Sequence, residues 1–189
     1  MSLAQRNLWI NFVWYQSLWL TAVAGGPKII AALLLLLVAH LLWVECWRSE
    51  LGLMLGCALP GCFVDSLLAH LGVFVFSPAP ALMPIPLWLI AIWLGFAGTL
   101  RGSLSWLSGR PLLMAILAGI GAPLAYLGAA RLGAVSFPLG MYRTSVIVGA
   151  VWIGLSPWLC WMTSQARIWQ AERQAARNAH SKEDVDHVR

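Results

Sequence analysis

Charge is what this sequence has least of. Only 10% of its 189 residues are charged while 60% are hydrophobic, against about 25% charged in an ordinary soluble domain. So short a chain cannot hide that much apolar surface from water, and lipid is therefore the expected solvent for most of its length. Acids are the scarcer sign, 7 against 12 Lys and Arg. The basic excess sits in residues 164–189 and in short connections, which reads as a membrane-topology signal and not as a nucleic-acid footprint. Cysteine is sparse as well. Cys46, Cys57, Cys62 and Cys160 fall in or beside apolar runs without C-x-x-C spacing, so no zinc site, redox pair or structural disulfide is implied. They read as small buried hydrophobes. Also missing are H-E-x-x-H, a Gly-rich phosphate loop, G-x-S-x-G and any aspartate cluster able to bind diphosphate through magnesium. No metal or cofactor is expected, and the usual grounds for naming an enzyme are absent.

What the sequence has in quantity is long apolar runs. A helix needs about 20 mostly apolar residues to cross roughly 30 Å of hydrocarbon, and six runs come near that, at 8–25, 29–47, 51–76, 87–107, 112–130 and 144–163. The expected fold is all-α, a polytopic six-helix transmembrane bundle over residues 1–163 with a basic tail at 164–189. The breaks are "GGPK" at 25–28, "RSE" at 48–50 read as a tight charged turn, "SPAPALMPIP" at 77–86, "SGRP" at 108–111 and "GAVSFPLGMYR" at 133–143. Four prolines keep 77–86 out of helix. Arg6, the first run and "AVA" at 22–24 loosely imitate a cleavable signal. Asn11 and Gln16 interrupt that run, so it is read as a retained span. The tail's Ala, Gln, Arg and Glu favour helix to about Asn178, with Trp169 suited to the headgroup layer. It is expected to be a topology anchor or a docking site for a cytoplasmic partner.

Sorting Lys and Arg by side places Arg6, Arg48, Arg101, Arg110, Arg167, Arg173, Arg177, Lys182 and Arg189 together, with Lys28, Arg131 and Arg143 opposite. The asymmetry puts both termini in the cytoplasm, and Trp9, Trp47, Trp106 and Trp161 fall at cytoplasmic span ends as an aromatic belt would.

Polar groups inside spans are costly and normally turn inward to pair. At about 1.5 Å per residue, His40 and Arg101 lie at similar depth, roughly 10 Å from the cytoplasmic end. Asn11, Gln16 and Glu45 share that half, so the five are expected to form one cluster. Asp65 lies roughly 20 Å from the same end, level with Tyr126, and His70 about 7 Å further out, near Arg131. Asp65 and His70 mark an outer cluster, but they are about 140° apart on a helix and need partners elsewhere. Asp65 is expected to point inward with Tyr126 as its partner, a phenol donating to a carboxylate. Its role is either a proton-relay or ligand group, or a hydrogen bond that fixes packing. Glycines at 52 and 56 and at 98 and 102 allow close helix contact.

The stretches "NFVWYQSLWLTAVAGG", "GCFVDSLLAHLGVFVF", "PLWLIAIWLGFAGTLRGSLSWL" and "GAPLAYLGAARLGA" resemble a family of small polytopic bacterial inner-membrane proteins known as a domain of unknown function. The similarity covers about residues 7–163 and leaves the tail outside. It implies a multi-pass protein of the bacterial cytoplasmic membrane and brings no catalytic residues with it. Three functions remain open. The chain supports a membrane-lipid pathway or a partner protein; or it is a membrane-embedded enzyme on a lipid or isoprenoid, with Asp65, His40, His70 or Arg101 as acid, base or charge-stabilising group; or it is a small transporter. A cavity joining both polar layers would favour transport, and a lipid-open pocket ending at Asp65 would favour lipid chemistry.

Overall fold

The computed structural model describes the backbone of residues 3–25, 29–80 and 83–187, and the side chains of 7–25, 29–80, 83–169, 171–172 and 175. Lys28 and Arg189 lie outside the described residues, as do the side chains of Arg6, Arg173, Arg177 and Lys182. The chain is helical, in the order α1 (Leu3–Gly25), α2 (Ile30–Trp43), α3 (Trp47–His70), β1 (Val75–Phe76), α4 (Leu87–Thr99), α5 (Pro111–Arg131), β2 (Val135–Ser136) and α6 (Met141–His187). Three helices are long and apolar enough to cross a membrane: α3, α5 and the Met141–Trp169 part of α6. α2 and α4 are apolar but shorter, about 20 Å each at 1.5 Å per residue.

Several boundaries differ from the sequence reading, each for a local reason. The "RSE" stretch is not a turn. Arg48, Ser49 and Glu50 form the first turn of α3, where an acid is favoured by the helix dipole, and the turn falls instead at 44–46. The run 51–76 leaves helix at His70 because Gly72 takes a positive φ of 71°, and Val75–Phe76 then pairs antiparallel with Val135–Ser136. The run 87–107 stops at Thr99. There the Asn11 side chain of α1 donates to the Gly98 carbonyl and accepts from the Ser103 backbone N–H at 2.8 Å, satisfying groups that a continuing helix would have paired internally. The chain then winds through turns and one 3-10 turn at Ser105–Leu107 to reach α5. α6 runs unbroken past residue 163, further than the expected end near Asn178.

α4 occupies the centre. It is apolar on all sides, as a buried helix should be, and packs against α1, α2 and α3. Its Trp93 indole stacks on Trp152 of α6 at 4.7 Å between centroids. α5 lies along α6 and has little contact with α4 or α1, so the side of α5 that faces α4 borders open space.

Candidate functional site

Two polar centres lie at the two ends of one buried stripe of α3. The deeper is built on α3, where residues 50, 54, 57, 61 and 65 recur at helical spacing and are all buried. Asp65 ends that stripe, 1% exposed. It accepts a 2.7 Å hydrogen bond from the Trp93 indole N–H. The indole reaches it because position 61 is glycine: a Cβ there would run into the Trp93 ring. Gly61→Ala is therefore expected to push the ring off Asp65 and destabilise the protein by about 1–3 kcal/mol, as overpacking does; thermal unfolding in detergent checks it.

Tyr126 of α5 lies beside Asp65, its buried hydroxyl within hydrogen-bonding reach of the carboxyl. Trp93 is a second donor to the same group, brought there because the indole of the central helix is wedged against α3. His70 does not join Asp65. It is the exposed last residue of α3, and α3 carries the two to different faces.

The second centre lies towards the start of α3. Glu50, 2% exposed, holds His40 Nε2 at 3.0 Å with one carboxylate oxygen and Arg101 Nη1 at 3.0 Å with the other. Arg101 also donates to Ser49 Oγ at 3.4 Å. The His40 ring stacks on Trp14, centroids 4.2 Å apart, and Gly98 leaves it room, for a Cβ there would stand 2.9 Å from His40 Nε2. His40 and Arg101 do come together here. Glu45 does not join them: it is exposed at the rim, because the turn at 44–46 turns it away and Glu50 supplies the carboxylate. Gln16 also departs from the expected cluster and lines a different cavity. Asn11 stays, anchoring the chain after α4.

Each centre borders its own cavity. A polar one of about 490 Å³ is lined by His40, Glu50, Arg101, Asn11, Trp14, Cys46 and Arg167 among others. An apolar one of about 510 Å³ lies between α1, α4 and α5, with Tyr15, Gln16, Trp88, Trp93, Phe96, Tyr126 and Trp152 in its wall. Along α5 it extends from Met114 to Ala129, about 22 Å. None of its lining residues is charged. The two cavities share no lining residue, although α1 and α4 contribute to both. Glu50 and Trp93 are the residues that sequence reasoning missed. Glu50 was legible as the start of the stripe that ends at Asp65, but only once "RSE" was placed in helix. Trp93 carried no signal that set it apart from the other tryptophans.

No group of three or more His, Cys, Asp or Glu side chains among the described residues can hold a metal ion. Neither the curated proteins nor the solved structures compared gave a match. A family model described as "Protein of unknown function (DUF2878)" matches residues 8–158, which takes in α2 to α5, both polar centres, the whole apolar cavity and all of the polar one but Asn7 and Arg167. The chain belongs to the DUF2878 family.

Proposed function

We propose that this is a multi-pass protein of the bacterial cytoplasmic membrane, both termini inside, that holds the apolar chain of a membrane lipid in the cavity between α1, α4 and α5, and so serves a lipid pathway. The observation that carries the reading is the cavity itself: uncharged, rich in aromatic side chains, and backed by Trp93 and Tyr126 beside Asp65. Its volume falls in the range of small-molecule sites, about 300–1,000 Å³. In this reading all six helices cross, with α4 shielded by its neighbours and α2 supplying an apolar outer flank. The half-exposed Trp9, Trp47, Trp106 and Trp161 form the cytoplasmic belt, and the tail from residue 164 meets headgroups or a cytoplasmic protein.

Reporter fusions in each loop should place the C-terminus and the 44–46 and 100–110 connections in the cytoplasm; a periplasmic C-terminus would sink the topology. For the lipid, the full-length protein is purified from its native membrane and its retained lipids are measured by mass spectrometry. One lipid class should be enriched over the bulk membrane, and Gly121→Phe should remove it. An ideal Cβ at Gly121 meets nothing within 4 Å, so the added ring fills the cavity without disturbing packing. Retained lipids matching the bulk membrane, unchanged by Gly121→Phe, would overturn the reading.

A second reading rests on the other centre. A carboxylate-held imidazole beside an arginine in a polar cavity has the parts of a general base with charge stabilisation. It makes the chain an enzyme on a lipid or isoprenoid, with His40 and Arg101 as acting groups. Lipidomics of a deletion strain tests it: one lipid species should accumulate, and His40→Ala should reproduce the accumulation. The absence of any lining residue common to the two cavities gives transport less support.

A further inference from the structure

The two cavities have separate walls, yet at one point a single hydrogen-bonded pair divides them. Asn11 lines the polar cavity and Ser103 the apolar one, and Asn11 Oδ1 accepts from the Ser103 backbone N–H at 2.8 Å and from its hydroxyl at 2.9 Å. The backbone passes from one wall to the other at the same place, with Arg101 and Gly102 on the polar cavity and Ser103 and Leu104 on the apolar one. The polar cavity also holds two arginines with donors unused. Every polar contact of Arg101 among the described residues runs through Nη1, to Glu50 and Ser49, although a guanidinium presents five N–H donors. Arg167 donates from Nη2 to the Ser105 carbonyl at 2.9 Å and forms no ion pair among the described residues. Of the two acids in that wall, Glu50 has both oxygens engaged, and Glu45 is exposed at the rim.

Resting on the lipid-holding reading above, we infer that the two cavities form one site for a phosphate-bearing lipid, its chain between α1, α4 and α5 and its phosphate accepting from Arg101 and Arg167. The apolar cavity suits the chain alone, since none of its lining residues is charged. A cationic headgroup in the polar cavity would meet two guanidinium groups and a carboxylate already engaged. An uncharged headgroup would forgo the charge-assisted hydrogen bonds, which are roughly twice as strong as neutral ones. A carboxylate has two oxygens in one plane, and a single guanidinium fork takes up both. A phosphate monoester has three acceptor oxygens set in tetrahedral directions. It can therefore accept from guanidinium groups on different elements, Arg101 just past α4 and Arg167 on α6. Asn11 and Ser103 then lie where a lipid itself changes polarity, at the junction of chain and headgroup.

The experiment measures displacement of radiolabelled hexadecyl phosphate from the full-length protein in micelles of an uncharged detergent. Competitors are unlabelled hexadecyl phosphate, hexadecanol, palmitate, hexadecylamine and inorganic phosphate, the last separating a free anion from a lipid headgroup. Hexadecyl phosphate should compete about tenfold better than hexadecanol, the effect of roughly one hydrogen bond to a charged group. Arg167→Gln should erase most of that advantage and leave hexadecanol binding unchanged. Arg167 is exposed, so the thermal midpoint of this variant should not fall, which separates lost recognition from lost folding. Glu50→Leu combined with Arg101→Met should lose the same advantage. Gly121→Phe should weaken hexadecyl phosphate and hexadecanol alike. Hexadecyl phosphate no better than hexadecanol, palmitate, hexadecylamine or inorganic phosphate overturns the inference and leaves the lipid-holding reading standing. So does a phosphate advantage that survives in both arginine variants, or hexadecyl phosphate binding that Gly121→Phe leaves intact while hexadecanol binding falls. If neither hexadecyl phosphate nor hexadecanol displaces the label and Gly121→Phe changes nothing, the lipid-holding reading fails with it.

Discussion

Glu50→Ala is expected to be the most damaging single substitution away from the cavities' apolar walls, lowering stability by about 3–5 kcal/mol, the range for breaking a buried ion pair from one side. Both oxygens of this carboxylate are in use, one on His40 and one on Arg101, and the Arg101 side chain is only 13% exposed. Removing the acid leaves a guanidinium with Ser49 Oγ at 3.4 Å as its remaining bond from that end. Glu50→Gln should fall between, because an amide oxygen still accepts from Arg101 while the charge is lost. The double change Glu50→Leu with Arg101→Met should recover most of the loss, since an apolar replacement of both partners removes the unpaired charge. Denaturant titration in mixed micelles measures all three. A double variant as unstable as Glu50→Ala would show that the carboxylate supports the fold through something other than Arg101.

Trp93→Ala is expected to cost about 3–5 kcal/mol, as large-to-small changes in cores do. The indole lies over Gly61 on one side and stacks on Trp152 on the other, so its loss opens a void between α3, α4 and α6 and also strips Asp65 of one donor. Trp93→Phe keeps part of the ring contact and isolates the hydrogen bond, with an expected loss of about 1–3 kcal/mol for the lost bond to the carboxylate. The reciprocal changes should agree. Asp65→Asn retains an acceptor for the indole and should be mild, whereas Asp65→Leu strands the Trp93 N–H and should match Trp93→Phe. If Asp65→Leu were as mild as Asp65→Asn, the bond between these two residues would not be what holds α3 to α4.

Much of the architecture could be read from composition and run length, because a scarcity of charge leaves few solvents and few folds open. Helix ends were harder to place. α4 ends at Thr99 because of Asn11, 88 residues earlier by sequence number, and no local pattern in "GTLRGSLSW" records that capture. Depth counting brought His40 and Arg101 to one level, since both sit near the same ends of their helices. It brought Tyr126 level with Asp65, and the two side chains do lie together. It failed for Gln16 and Glu45, because depth fixes height along the bundle and says nothing about which cavity a residue faces. Trp93 was invisible as a partner because an indole in an apolar run reads as bulk, and only the glycine opposite it gives it a fixed place.

The shortness of α2 has a consequence for the bilayer around the protein. Its outward side carries Leu34, Leu35, Val38, Leu42 and Trp43, all exposed, over a helix of about 21 Å. α5, on another side of the molecule, presents Leu112, Ile116, Ile120 and Leu124 over 21 residues, about 31 Å. Placed in one membrane, the two flanks match hydrocarbon slabs of different thickness. In the proposed topology, lipids next to α2 would be compressed while those next to α5 would keep their length, and each ångström of such mismatch costs a fraction of a kcal/mol. The proposed six-span arrangement would therefore carry a thickness gradient from one flank to the other, favouring short-chain lipids at α2.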